Sequence, residues 1–268
     1  MTGKNQPDFK ALLSFAHELA DTSATAIRPH FRKSISVTNK ASPGEFDPVT
    51  AADTAAERAI RKAIDMRWPD HGVIGEEYAH TREGARYRWV IDPIDGTRAF
   101  IMGSPLWGTL IGLLDGDEPV LGLMDQPFTG ERFWSGPHQS YRREADGKTR
   151  RLKTRGGVGR AEATRTTTHP DLLGKGKEQK AFARLKSQAR MSRYGGDCYS
   201  YCLLAAGFVD LVVETGLKPH DIVALIPIIE RAGGLVTTWT GEPATAGGRI
   251  IAAGNAELHA EAMAVLAG

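Results

Sequence analysis

Trp89-Val90-Ile91-Asp92-Pro93-Ile94-Asp95-Gly96-Thr97 is the stretch on which the fold turns. Residues 88 to 92 are largely apolar and β-favouring, so a short strand is expected there. The strand runs straight into Pro93, which fixes its own φ and removes a donor, and the turn is stiff. Gly96 lets backbone approach a ligand closely. A helical start over Thr97 to Ile101 follows. Two acids, Asp92 and Asp95, therefore stand at the mouth of a strand, where loop residues line sites. Two carboxylates about 5 Å apart repel by roughly 3 kcal/mol at an effective dielectric near 20. Without a cation one of them keeps its proton. A hard divalent ion removes the conflict, and Mg²⁺ suits carboxylates, a backbone carbonyl and water. No His or Cys cluster stands near these acids in the sequence, which argues against zinc. Gly96, Thr97 and Arg98 offer backbone N–H groups at a helix start, a ready anion site. Metal-binding acids beside a phosphate cradle are what metal-assisted phosphate hydrolysis requires.

Upstream, Phe9, Leu12, Leu13, Ala16, Leu19 and Ala20 recur at helical spacing, which predicts an amphipathic helix over 8 to 31 bent or ended by Pro29. Residues 42 to 48 read as a loop. Thr50 and Asp53 resemble a capping box, with a following helix that buries Ile60 and Ile64 and stops at Trp68-Pro69. Downstream, 110 to 114 and 120 to 124 read as an antiparallel hairpin, with Phe133-Trp134 as a third strand. Large aliphatics thin out over 136 to 160. A boundary is placed there, giving an α+β part over 1–145 with antiparallel strands and an α/β part over 146–268. In the second part, 198 to 206 and 221 to 232 read as helices, and 208 to 214, 235 to 239 and 249 to 253 as strands. Asn255 is expected to cap a last helix carrying Leu258, Met263 and Leu266.

Bulk properties set limits. The 268 residues are 41% hydrophobic and 25% charged, ordinary for a soluble globular chain. A net charge of +2 is too small to argue for nucleic acid or a membrane. No apolar run reaches the roughly 18 to 20 residues that span a bilayer. The first eight residues have no apolar secretory core, and the two cysteines, Cys198 and Cys202, sit four apart like core residues of one helix. A cytoplasmic location is expected.

Four segments place acids at element ends: Asp53, Glu76 with Glu77, Asp92 with Asp95, and Asp221. Taken singly, Asp53 and Asp221 suit helix caps, and Glu76-Glu77 suits a solvated loop. Together they carry a resemblance. Gly75-Glu76-Glu77, the segment 89 to 97 and the Asp221 helix leading to Ala232-Gly233-Gly234 resemble the inositol monophosphatase superfamily, from about residue 8 to the C-terminus. The resemblance implies a layered α-β-α-β-α sandwich and, as a rule, homodimers. It implies that Glu76, Asp92, the Ile94 carbonyl, Asp95 and Asp221 hold two Mg²⁺ ions, with Asp53 contacting a third through water. Thr97 with Glu76 or Asp53 would orient the attacking water, and the phosphate would rest on Gly96 and Thr97.

One departure stands out. The superfamily normally has Trp before the last metal Asp, whereas this chain reads Lys218-Pro219-His220-Asp221. The metal ligand is retained and its surroundings differ. The segments 98 to 101, 194 to 199 and 214 to 219 instead resemble the histidinol-phosphate phosphatase branch. That implies Mg²⁺-dependent hydrolysis of L-histidinol phosphate to L-histidinol and phosphate, a step of histidine biosynthesis, by direct attack of metal-activated water. Histidinol phosphate carries an ammonium group and a basic imidazole, so its pocket should offer acids. Asp197 and Glu214, with Arg98, are the expected substrate-binding residues, although Asp197 also suits a helix cap.

Other readings are weaker. Inositol-1-phosphate or sugar phosphates are the alternative substrates. Aspartyl-phosphate chemistry uses two acids separated by one residue, not two as here. The basic run Arg150, Arg151, Lys153, Arg155 and Arg160 lacks interleaved aromatics, so a solvated hairpin or linker is preferred to RNA binding. His169 and His220 could contact substrate, and His220 adjoins Asp221 and so could sit near the metals, but a lone histidine is more often structural. The expected partner is a small phosphomonoester, with no nucleic acid and no membrane.

Overall fold

The computed structural model describes residues 8–40, 48–173 and 176–267. The loop expected over 42 to 48 falls outside these, apart from Pro48. Helix α1 (Phe9–Ile27) is capped by Asp8, which accepts from the Lys10 N–H at 3.2 Å, and it ends before Pro29 as expected. Strands β1 (Val37–Asn39) and β2 (Pro48–Thr50) pair antiparallel. Helix α2 (Ala51–Arg67) opens on the Thr50–Asp53 capping box and buries Ile60 and Ile64. Next come β3 (Gly72–Gly75), β4 (Tyr87–Asp95), α3 (Thr97–Ile101), β5 (Gly108–Asp115), β6 (Glu118–Gln126) and β7 (Glu131–Ser135). A further hairpin, β8 (Ser140–Arg143) and β9 (Thr149–Arg151), completes a seven-stranded sheet in sequential order. Only β3 and β4 run parallel in it.

The second sheet has five strands. They are β10 (Thr164–Thr167), β11 (Met191–Tyr194), β12 (Leu211–Leu217), β13 (Leu235–Thr238) and β14 (Gly248–Ala253), in the order β11-β10-β12-β14-β13. Its helices are α4 (Lys177–Ser187), α5 (Asp197–Ala205), α6 (Pro219–Ile222), α7 (Leu225–Glu230) and α8 (Ala256–Ala267).

The layers follow from which faces are apolar. Helices α1 and α2 cover one face of the seven-stranded sheet through Leu12, Phe15, Ile60, Trp89 and Ile111. Helices α5 and α7 lie between the two sheets, in a core that joins Leu110, Met124 and Phe133 to Tyr201, Ile228 and Val236. Helices α4 and α8 cover the far face of the five-stranded sheet. The result is the layered α-β-α-β-α sandwich. Among the described residues no helix is long and apolar enough to cross a membrane.

The helix expected over 221 to 232 is instead two helices, α6 and α7, broken at Val223-Ala224. Pro227 has no N–H to give the Val223 carbonyl, so the helix cannot run through. The break is also seated tightly. Gly112 and Gly122 face each other across β5 and β6. A Cβ on Gly122 would stand 1.8 Å from the Ala224 oxygen, and one on Gly112 would stand 2.9 Å from Val223 Cγ1. Only bare backbone lets the α6–α7 break lie this close to the sheet. The strand expected over 208 to 214 is shifted to 211–217, because Gly207 and Phe208 close α5 first. Strands β3, β8, β10 and β11 and helix α4 had no clear periodic signal. The basic run falls partly in β9, on the edge of the sheet, and Arg150 pairs with Glu144 across the hairpin at 2.8 Å.

Candidate active site

Strand β4 does not stop at Asp92 but continues through a bulge to Asp95. The bulge turns both carboxylates to the same end of the sheet. The Ile94 N–H donates to Asp92 Oδ1 at 3.0 Å, and the Thr97 hydroxyl donates to the Ile94 carbonyl at 3.0 Å. Gly96, with φ of 88°, makes the left-handed turn into α3.

The distant acids converge here. Ligand-capable atoms of Asp92, Asp95 and Asp221 all lie within 4.8 Å of one another, and so do those of Glu76, Asp92 and His220. Asp92 belongs to both groups. Asp221 is held by the Lys218 N–H, which donates to its Oδ2 at 2.7 Å. Asp95 Oδ2 accepts from the Cys198 N–H at 2.6 Å, which ties β4 to the start of α5. Asp53 lies buried at the start of α2. Its Oδ2 accepts from the Thr50 N–H at 2.9 Å and the Thr50 hydroxyl at 2.6 Å, while its Oδ1 has no partner among the described residues.

Crowding shows in the electrostatics. Burial first, then Glu76, Asp95, Asp221 and Asp53, pushes the Asp92 carboxyl well above its usual range. Burial, then Asp197 and Asp221, does the same to Asp95. Asp221 is raised to about 7, mainly by burial, with the Lys218 N–H holding it back and Glu76 pushing it up. Asp53 is raised to about 6 by burial, against the Thr50 hydrogen bonds. These are carboxyls that cannot all ionise without a compensating cation. The unpartnered Asp53 Oδ1 and the two close oxygen-rich groups therefore fit divalent ions.

Two neighbours were not found from sequence, and a third was weighed only for its place beside Asp221. Lys40 Nζ lies 2.9 Å from Glu76 Oε1 and 3.0 Å from Glu77 Oε1. Burial opposes its charge, but these two acids outweigh that and raise its pKa. Glu57, fully buried, accepts the Glu77 N–H at 2.8 Å and the Tyr78 N–H at 3.2 Å, and Arg61 braces it at 2.8 Å. It fixes the loop that carries Glu76. A Cβ on Gly75 would stand 2.1 Å from Glu57 Oε1, so that glycine makes room for the brace. Glu57 was legible in one respect, as it lies one helical turn beyond Asp53 on the same face. The third is His220, read as more often structural. It brings a nitrogen within 4.8 Å of carboxylate oxygens of Glu76 and Asp92, as its place beside Asp221 allowed. Burial lowers its pKa to about 4, which leaves a neutral ring.

The expected substrate residues gather at one side. Asp197 stands at the first turn of α5 with φ of 40°, in the left-handed region, and the N-cap position is Gly196. Burial, then Glu214, raises its pKa to about 6, while Thr168 and Arg98 hold it back. Glu214, on β12, is buried. Its Oε1 accepts from the Thr168 N–H at 2.8 Å and hydroxyl at 2.6 Å, and its Oε2 accepts from the Tyr201 hydroxyl at 3.0 Å. His169 is exposed, and its ring accepts the Asp171 N–H at 3.2 Å.

A layered sandwich whose sheet end gathers carboxylates from four separate segments defines a class of metal-assisted phosphate hydrolases. Comparison with known proteins gives the particular family. The inositol monophosphatase family pattern matches residues 8–267. The chain is 42% identical over 256 residues to the chloroplastic bifunctional phosphatase IMPL2 of Arabidopsis thaliana, covering 91% of this chain and 72% of that one. It is 34% identical to the histidinol-phosphatase of Streptomyces coelicolor, covering 97% of this chain and 98% of that protein. The solved structure of an inositol monophosphatase from Zymomonas mobilis superposes with a TM-score of 0.86 at 38% identity, covering 98% of this chain and all of that one. The chain belongs to the inositol monophosphatase family and is a phosphatase of that family.

Proposed function

We propose that this phosphatase hydrolyses L-histidinol phosphate to L-histidinol and phosphate, with Mg²⁺ held by Glu76, Asp92, the Ile94 carbonyl, Asp95 and Asp221. The observation that carries the substrate is the acidic pair Asp197 and Glu214 beside the metal-binding acids. Asp197 lies close enough to Asp95 to raise it, and Glu214 close enough to raise Asp197. A neutral polyol gains only hydrogen bonds from such acids, whereas an ammonium is stabilised by their charge as well. The name of the Streptomyces coelicolor relative supports the same substrate.

When bound, the divalent ions polarise phosphoryl oxygens and neutralise the leaving alkoxide. The chain's own groups do the rest. Thr97, whose hydroxyl proton is spent on Ile94, is left with lone pairs that accept a hydrogen bond from the attacking water and orient it. Asp53, with one unpartnered oxygen and a pKa near 6, is poised as a base close to neutral pH. Glu76 completes the orientation of that water. The backbone of Gly96 and Thr97 receives the phosphate, with Arg98 at the rim. Glu214 is locked by Thr168 and Tyr201, so it acts as a fixed charge, and Asp197 is the acid that meets the ammonium directly.

The test is phosphate release from a dozen phosphomonoesters, with and without Mg²⁺. Histidinol phosphate is expected to show the highest kcat/KM. Asp197→Ala is expected to raise its KM by about tenfold, the loss of one charge-assisted contact, while inositol-1-phosphate turnover changes little. Comparable kcat/KM values for histidinol phosphate, inositol-1-phosphate and sugar phosphates would overturn the substrate assignment.

A further inference from the structure

We propose that His220 supplies a nitrogen ligand to the divalent ion held by Glu76 and Asp92, so that the two ion positions differ in chemistry. This rests on the metal-dependent reading above. One position would be built from oxygen and nitrogen, the other, around Asp92, Asp95 and Asp221, from oxygen alone.

The geometry is specific. A ring nitrogen of His220 lies within 4.8 Å of carboxylate oxygens of both Glu76 and Asp92, a span that one ion can bridge. The side chain is nine-tenths buried, with only 8% of the residue exposed. Its ring donates or accepts no hydrogen bond among the described residues, and Asp221 Oδ1 lies 3.5 Å from its Nε2.

The ring is also held in place. Pro219 starts α6, the Lys218 N–H fixes Asp221, and Ile222 and Val223 are buried against the sheet at Gly112. The turn that presents His220 is the turn that presents Asp221, so a metal position that recruits one has the other beside it.

Donor type then decides which ion fits. Mg²⁺ demands oxygen ligands in near-octahedral array and keeps its waters. Imidazole suits the first-row transition ions, of which Mn²⁺ is the one that also favours oxygen donors. The Glu76–Asp92–His220 position is accordingly selective for Mn²⁺ over Mg²⁺, and the Asp92–Asp95–Asp221 position is suited to Mg²⁺.

The test uses the full chain with Mn²⁺ as the probe and electron spin echo envelope modulation as the readout. The wild-type protein is expected to show nitrogen modulation of the kind given by coordinated imidazole. His80, whose charge also reaches His220, supplies the control. The modulation should persist in His80→Phe and vanish in His220→Phe. By titration calorimetry, His220→Phe should weaken Mn²⁺ binding on the order of tenfold and Mg²⁺ binding less than about threefold. Should the Phe variant fail to fold, His220→Tyr replaces it, with similar bulk and an oxygen in place of nitrogen. Mn²⁺ bound without nitrogen modulation, or modulation that survives loss of His220, overturns the inference and leaves the phosphatase reading intact. No Mn²⁺ binding at all overturns both.

Discussion

At the scale of single residues, Asp92 is the hinge of the site because it is shared by both ligand groups. Asp95 carries as much charge and also accepts the Cys198 N–H, a bond that an asparagine oxygen can still accept, so Asp95→Asn removes charge with little structural change. Asp95→Asn is expected to lower kcat by roughly a thousandfold or more, several kcal/mol of transition-state stabilisation, with the fold retained by circular dichroism. An unchanged kcat in saturating Mg²⁺ would show that Asp95 holds no essential ion. Glu57 acts at one remove. Glu57→Ala should free the 76–78 loop and weaken Mg²⁺ binding about tenfold by calorimetry, whereas a merely stabilising role would leave affinity unchanged. The acids themselves were legible, since Asp92-Pro93-Ile94-Asp95-Gly96 joins charge to stiff backbone in one short string. Lys40 and Glu57 were not, and His220 was legible only as the neighbour of Asp221. A lone histidine or lysine has no local signature, and its meaning depends on which distant segment folds against it.

At the scale of elements, alternation and caps announced what they govern. The Thr50–Asp53 box, the 110–124 hairpin and the Asn255 cap all appear, the last with its side chain accepting the Leu258 N–H at 2.9 Å. The edge strands did not announce themselves. β8 and β9 are rich in Arg, with partly or fully exposed residues, so no apolar period marks them. The break between α6 and α7 was written in Pro227, but its seat on Gly112 and Gly122 is a contact across about a hundred residues of chain that periodicity does not reach. Gly122→Val is expected to lower the thermal midpoint by several degrees, since overpacking at a close contact costs about 1–3 kcal/mol or more. It should also weaken Mg²⁺ binding, because the displaced break carries Asp221. Equal melting curves for the two proteins would mean that the sheet yields more easily than this packing implies.

For the whole molecule, the five layers bring four distant segments together, and the fold therefore concentrates negative charge where function needs it. That has a cost in stability that depends on pH. Asp221 moves from 3.8 to about 7 and Asp53 from 3.8 to about 6, both chiefly through burial. The folded state thus favours the protonated forms. The penalty is absent below the unfolded pKa, grows as pH rises toward the folded values, and is constant above them. Without divalent ions, the protein should melt at a lower temperature at about pH 8 than at about pH 5.5, and Mg²⁺ should raise the melting temperature more at the higher pH. A midpoint in divalent-free buffer that does not fall between those pH values would mean the acids are not crowded. The most direct test of the central claim is anomalous diffraction from crystals of the protein soaked in Mn²⁺ with phosphate. Two peaks flanking Asp92 are predicted, one toward Glu76 and one toward Asp95 and Asp221. No peak within reach of these side chains would contradict the account.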